Sequence, residues 1–75
     1  MDDFEKRLVN FGRYINSLRE TRGWSISDLS DKSGIPQSTL KRIEKGNLIR
    51  LKLSHLAQLA FAFKLKISKI SDAFY

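Results

Sequence analysis

The chain contains no cysteine, which excludes disulfide bonds, thiolate metal sites and thiol catalysis. Its one histidine, His55, has no partner with which to hold a metal. The longest apolar run, residues 59–63, is too short to cross a bilayer. No secretory leader is visible, because two aspartates follow Met1 instead of a basic segment and an apolar stretch. We therefore expect a cytoplasmic protein without a membrane association or a metal.

The acidic residues do not form a catalytic arrangement. Asp28 and Asp31 share one predicted helix, but no nucleophile, base and orienting group can be assembled around them. Capping and solvation account for both carboxylates. The sequence therefore predicts neither an enzyme nor a cofactor.

The size and charge of the chain indicate a small folded domain with an acidic partner. Residues 1–75 are 41% hydrophobic and 29% charged, which is typical of a globular protein, and the net charge is +6. Between residues 37 and 52, Glu44 is the lone acid among five basic residues. This balance favours nucleic acid or an anionic membrane, and a solvated cationic surface is the simplest alternative. A membrane-surface helix fits poorly, because the basic residues surround a turn instead of following one long amphipathic face.

Residues 25–46 predict two short helices joined by a tight turn. Ser25 and Asp28 can form a capping box, and Gly34 can adopt the left-handed conformation that ends a helix. The apolar positions where the two helices would meet are Leu29, Ile35, Leu40 and Ile43. The second helix keeps its polar and basic side chains outward, namely Gln37, Ser38, Lys41, Arg42 and Lys45. A short helix with such a face fits the major groove of DNA.

The remaining pattern predicts further helices and no strand. Apolar residues recur at spacings of three and four between Phe4 and Leu18, which indicates one long helix. Gly12 weakens its middle by about 1 kcal/mol, so residues 3–10 are either its first turns or a separate arm. The other predicted helices are 26–33, 37–45, 52–63 and one beginning near residue 68. The fold class expected is an all-α bundle of about five helices in a single domain.

Three segments together resemble the Cro/repressor-type helix-turn-helix family, also called the xenobiotic-response-element family. They are FGRYINSLR at 11–19, the capped pair of helices ending in RIEKG at 42–46, and the leucine–alanine pattern of 53–70. The resemblance implies a lambda-repressor-like bundle that binds operator DNA as a two-fold dimer. It covers most of the chain and leaves residues 1–10 as an N-terminal extension of unassigned role.

The resemblance also implies site residues. Base-edge contacts are expected from Gln37, Ser38 and Arg42, with Lys41 either at a base edge or at a phosphate. Phosphate contacts are expected from Ser25, Lys45, Arg50 and Lys52. Arg19 and Glu44 match a structural ion pair of the family, which would explain the lone acid in the basic segment.

Apolar residues near the C-terminus predict a dimer interface within residues 52–75. A monomer of this size would struggle to cover all of them, and we expect an interface built from Phe61, Leu65, Phe74 and Tyr75. The N-terminal arm is a second candidate surface. We expect Trp24 to lie in the core.

The expected function is a dimeric transcriptional regulator, a repressor that acts on a palindromic operator. It could be a restriction-modification controller, a phage-type switch, or an antitoxin that represses its own operon and holds a toxin. The alternative from another class is a protein-interaction module that kept the fold without reading DNA. Steep salt dependence of DNA binding would distinguish the regulator from that module.

Overall fold

A computed structural model of the protein describes residues 3–48 and 50–74. Within these residues the chain forms five helices and no strand, which confirms the all-α bundle. The helices are α1 (Asp3–Thr21), α2 (Ile26–Ser33), α3 (Gln37–Lys45), α4 (Leu53–Phe63) and α5 (Ile67–Phe74). The bounds of α2 and α3 agree with the prediction, whereas α4 begins one residue later and α5 one residue earlier.

The start of α2 is closed by the capping box that the sequence predicts. The Ser25 hydroxyl accepts a hydrogen bond from the Asp28 amide at 3.0 Å, and the Asp28 carboxylate accepts one from the Ser25 amide at 2.9 Å. At the other end, Gly34 has φ 75° and donates its amide to the Ser30 carbonyl. These caps allow a helix of eight residues to stop where the chain must turn into α3.

Helix α1 is continuous, so the separate arm considered for residues 3–10 is wrong. The glycine that suggested a break has a packing function instead. A Cβ on Gly12 would lie 2.4 Å from the Ile43 carbonyl oxygen and 2.6 Å from that of Glu44. Because Gly12 has no side chain, α1 and α3 approach each other at backbone distance, and packing outweighs the helix propensity lost there.

The N-terminal half of α1 packs against α5. Leu8 and Phe11 are buried, and Phe74 lies edge-on to both Phe4 and Phe11, with ring centroids 6.0 and 5.9 Å apart. Phe74 is only 8% exposed, so its assignment to an exposed dimer interface is wrong. Phe4 and Phe11 of α1 cover Phe74 within one chain.

The core lies where all five helices meet. Its fully buried large side chains are Phe11, Ile15, Leu29, Ile35, Leu40, Leu59, Phe63 and Ile70. They include three of the four apolar residues expected where α2 meets α3, Leu29, Ile35 and Leu40, and the fourth, Ile43, is 3% exposed. None of the described helices is both long and apolar enough to span a membrane.

Candidate nucleic-acid interface

Helix α3 has one buried face and one exposed face. Leu40 and Ile43 point into the core and are at most 3% exposed. The exposed residues are Gln37, Ser38, Lys41, Arg42 and Lys45. Positions three and four apart lie on one side of a helix, so these side chains form a continuous polar and basic surface. All of the base-edge candidates therefore share this surface.

The lone acid of the basic segment points inward. Arg19 donates to the Glu44 carboxylate from Nε at 2.8 Å and from Nη2 at 3.0 Å, and both side chains are mostly covered. The hydrogen bond to Glu44 is the main cause that raises the pKa of Arg19, against desolvation, which lowers it. Arg19 also donates to the Trp24 carbonyl at 2.9 Å. The pair thus connects α1 to the end of α3 and to the loop before α2.

Asn16 belongs to the same cluster, although the sequence analysis did not identify it. Its Nδ2 donates to Glu44 Oε1 at 2.8 Å. Asn16 precedes Arg19 by three residues, so both lie on one face of α1. The three-residue spacing from Arg19 could have identified Asn16 from the sequence.

A basic notch lies between α3 and the start of α4. It has a volume of about 590 Å³ and is lined by Thr39, Arg42, Leu48, Arg50, Lys52 and His55. The fold thus brings Arg42 next to two cations that were assigned to phosphate. Lys45 and Ser25 are exposed elsewhere and do not line the notch.

Thr39 and His55 are the polar notch residues that the sequence analysis did not assign to DNA. Thr39 lies on α3 between the base-edge candidates, and its hydroxyl can donate to a phosphate oxygen. The His55 Nδ1 accepts a hydrogen bond from the Lys52 amide at 3.1 Å, which caps α4. Burial and the nearby Lys52 lower the pKa of His55. The neutral ring therefore carries its proton on Nε2 while Nδ1 acts as the cap.

Ser25 sits at the exposed start of α2, but its polar atoms already have partners. The amide of Ser25 donates to the Asp28 carboxylate, whose pKa is lowered by that hydrogen bond and by the Ser25 side chain. The carboxylate thus occupies the amide that a phosphate would use. A phosphate contact through the Ser25 hydroxyl would therefore compete with the Asp28 carboxylate for its hydrogen.

The candidate dimer residues are divided by the fold. Phe61 is 78% exposed on α4, Leu65 is partly buried, and Tyr75 lies outside the described residues. Leu53, which the prediction did not include, is 73% exposed on the same helix. The exposed apolar surface therefore lies along α4, and Phe74 does not belong to it.

Comparisons with known proteins agree with this arrangement. The helix-turn-helix family model matches residues 15–70, which is most of the chain. The crystal structure of the restriction-modification controller protein C.AhdI from Aeromonas hydrophila superposes with a TM-score of 0.77 at 28% identity. That match covers 84% of this chain and 94% of the controller. A comparison with curated proteins finds no match.

A buried anchor behind α3 and an exposed polar surface in front of it define a DNA-binding helix-turn-helix fold. The chain belongs to the helix-turn-helix family, which confirms the resemblance to the Cro/repressor type. It is a transcriptional regulator, from a family of DNA-binding proteins that are not enzymes.

Proposed function

We propose that the protein is a dimeric repressor that reads a palindromic operator with α3. The observation that carries the proposal is the exposed face of α3, which is continuous through Arg42 with the basic notch. A helix laid in the major groove has phosphates along both of its sides, and the notch supplies cations on one side. Because the target is DNA, we place its action in the cytoplasm, at the nucleoid.

Base recognition is assigned to the first turns of α3. Gln37 can pair with adenine N6 and N7, and Arg42 with guanine O6 and N7, each discriminating by about 1–3 kcal/mol. Ser38 can contact either kind of base edge. Lys41 lies on the same exposed face and can reach a base edge or a phosphate.

Phosphate contacts position the helix in the groove. Arg50 and Lys52 converge on the notch, and Lys45 extends the exposed basic surface at the end of α3. Ser25 adds a hydroxyl donor at the start of α2. These residues set the register of the helix and do not select sequence, because all phosphates are alike.

Dimerisation is assigned to the exposed apolar surface of α4. Phe61 on α4 and the partly buried Leu65, two residues after the helix, are retained from the sequence analysis, and exposed Leu53 extends the surface along the helix. Two copies related by a two-fold axis would place their α3 helices in successive major grooves, about 34 Å apart. Repression would follow from occlusion of polymerase.

Similarity to C.AhdI supports control of a restriction-modification system as the setting. An antitoxin that holds a toxin is the alternative that the sequence left open. The notch and the exposed face of α3 support DNA binding in either setting.

Selection of bound duplexes from a random pool tests the proposal. We expect enrichment of an inverted repeat, with two copies of the full chain per duplex and affinity that falls steeply as salt rises. Enrichment of a single half-site would overturn the dimer. No enrichment and no salt-dependent binding would favour the protein-interaction module.

A further inference from the structure

A second concave surface lies at the far end of α4 from the notch. It is a groove of about 600 Å³, with a floor formed by Trp24, Phe61 and Leu65 together with two alanines of α4. Lys52 and His55 mark the notch at the start of α4, whereas Phe61 lies at its end. Along α4 the nearest lining residues of the two surfaces, His55 and Ala60, are five positions apart, which is roughly 7.5 Å at about 1.5 Å per residue.

The aromatic part of the groove is pre-arranged. Trp24 stacks on Phe63 with ring centroids 5.3 Å apart and an interplanar angle of 16°. The Arg22 guanidinium lies 5.4 Å from the Trp24 ring centre and 5.6 Å from that of Phe63. Arg22 also donates to the Phe63 carbonyl at 2.8 Å, which holds the rings and the cation together. This geometry holds Trp24 in place and leaves part of its ring exposed to the groove.

The rim of the groove is cationic. Arg22, Lys32 and Lys64 line it, and no carboxylate is among the described residues that do. The Lys32 ammonium lies 4.9 Å from the Trp24 ring centre. Three cations around an apolar floor favour a ligand that carries negative charge on an apolar body.

Lys64 provides a separate observation. Its φ is 57°, and among the described residues it is the only one other than glycine with a left-handed backbone conformation. Glycine is the usual residue at this position after a helix, because any side chain there is strained by about 1–3 kcal/mol. The strained residue also supplies a cation at the rim, and strained residues are enriched at ligand-binding sites.

We propose that this groove binds a small amphipathic anion, with an aromatic or branched apolar body and one carboxylate. The body would lie against Trp24 and Phe61, and the carboxylate would meet Lys64 and Lys32. The volume is within the range of small-molecule sites, about 300–1,000 Å³. A DNA phosphate fits poorly here, because the floor is apolar.

A ligand bound in the groove would affect dimerisation. Phe61 and Leu65 line the groove and also belong to the dimer surface assigned above. A bound anion therefore competes with the second copy, which shifts the protein toward the monomer and weakens operator binding. This consequence rests on the proposed function, whereas binding of the anion does not.

Trp24 is the only tryptophan in the chain, so its fluorescence reports on the groove. The probe is 4-phenylbutyrate, which absorbs little where indole alone is excited, with 4-phenylbutanol and 4-phenylbutylamine as matched neutral and cationic analogues. We expect a saturable change with the carboxylate at about millimolar concentration and about tenfold weaker binding of the alcohol. No saturable change up to about 10 mM, or equal binding of all three, would overturn the site.

Two lysine variants locate the carboxylate. Lys64→Gln and Lys32→Gln should each weaken phenylbutyrate binding several-fold, whereas Lys66→Gln, an exposed lysine outside the groove, should not. Lys64→Gly should weaken the probe similarly while raising the melting temperature, because the strain is removed. An equal loss in Lys66→Gln would show nonspecific attraction and overturn the assignment.

Sedimentation velocity separates the site from its consequence. We expect phenylbutyrate to lower the dimer fraction of the full chain, and phenylbutanol to have a smaller effect at equal concentration. Saturable binding with an unchanged dimer fraction would overturn the competition and leave the site standing. A chain that is monomeric without the probe would overturn the dimer alone.

Discussion

The carboxylate of Glu44 is held by Arg19 through two hydrogen bonds, so the recognition helix is attached to α1 by its own last turn. Asn16 adds a third donor from α1. The arrangement removes the one acid of the segment from the exposed surface of α3. It also restrains rotation of α3 about its axis, an orientation on which the proposed base contacts of Gln37 and Arg42 depend.

Replacement of Glu44 by Gln should lower the free energy of unfolding by about 2 kcal/mol. The substitution removes the charge and places an amide donor against the donors of Arg19, in a mostly covered site. Urea denaturation measures the change. Glu20→Gln, at an exposed position of α1, is the control and should stay within about 0.5 kcal/mol of the parent. Equal losses in the two variants would contradict the role of the pair.

Gly12→Ala should destabilise the protein by about 2 kcal/mol, although alanine favours a helix by about 1 kcal/mol. The new methyl group would meet backbone carbonyls of α3, which cannot move aside like the end of a side chain. Thermal and urea unfolding measure the effect. Asn10→Ala, at an exposed position of the same helix, should be neutral within about 0.5 kcal/mol. A stabilised Gly12→Ala would show that α1 and α3 are farther apart.

Arg42→Ala and Lys52→Ala should weaken DNA binding in different ways. Loss of Arg42 should cost about 1–3 kcal/mol and relax selection at one base pair, whereas loss of Lys52 should weaken all duplexes and reduce the salt slope by about one. Titrations of the selected operator and a scrambled duplex at several salt concentrations separate the two. Lys66→Ala should change neither. Equal weakening of both duplexes by Arg42→Ala would move Arg42 to the phosphate contacts.

His55 should titrate below its ordinary value of 6.5 in the free protein, because burial and Lys52 both lower its pKa. A pKa that is lowered on folding adds stability above the unfolded value, and that stability is lost as the pH falls through the folded pKa. Protonation also turns Nδ1 from an acceptor into a donor, which breaks the cap on the Lys52 amide. The single histidine makes an NMR titration unambiguous.

Operator DNA should raise the pKa of His55, since a phosphate in the notch adds negative charge beside the ring. The same NMR titration on the complex measures this shift. An unchanged or lower pKa in the complex would place the phosphate elsewhere.

Local patterns in the sequence were sufficient for the two central helices. Ser25, Asp28, Gly34 and Gly46 are start and stop signals that act within a few residues, so α2 and α3 could be bounded without the fold. The outward face of α3 followed from helical periodicity. The Arg19–Glu44 contact came from family resemblance, because charge alone cannot say which distant partner an acid will meet.

Phe74 and Gly12 show where such reasoning failed. Phe74 seemed surplus in a short chain, and only the packing of α1 on α5 shows that Phe4 and Phe11 cover it. The low helix propensity of Gly12 left a break in α1 open. Its close contact with α3 involves residues more than 30 positions away, so the sequence could not show that this glycine serves packing.

The amino-acid order thus specified the class of fold, the bounds of α2 and α3, and the polar face of α3, because caps and periodicity depend on neighbours in the chain. The positions of residues that are distant in sequence were decided by the assembly of the helices into a bundle. The convergence of Arg42, Arg50 and Lys52 on one notch, and of Arg22, Lys32 and Lys64 on one groove, depends on how the helices pack. Contacts between residues distant in sequence exist only after the core has formed, so no local signal encodes them.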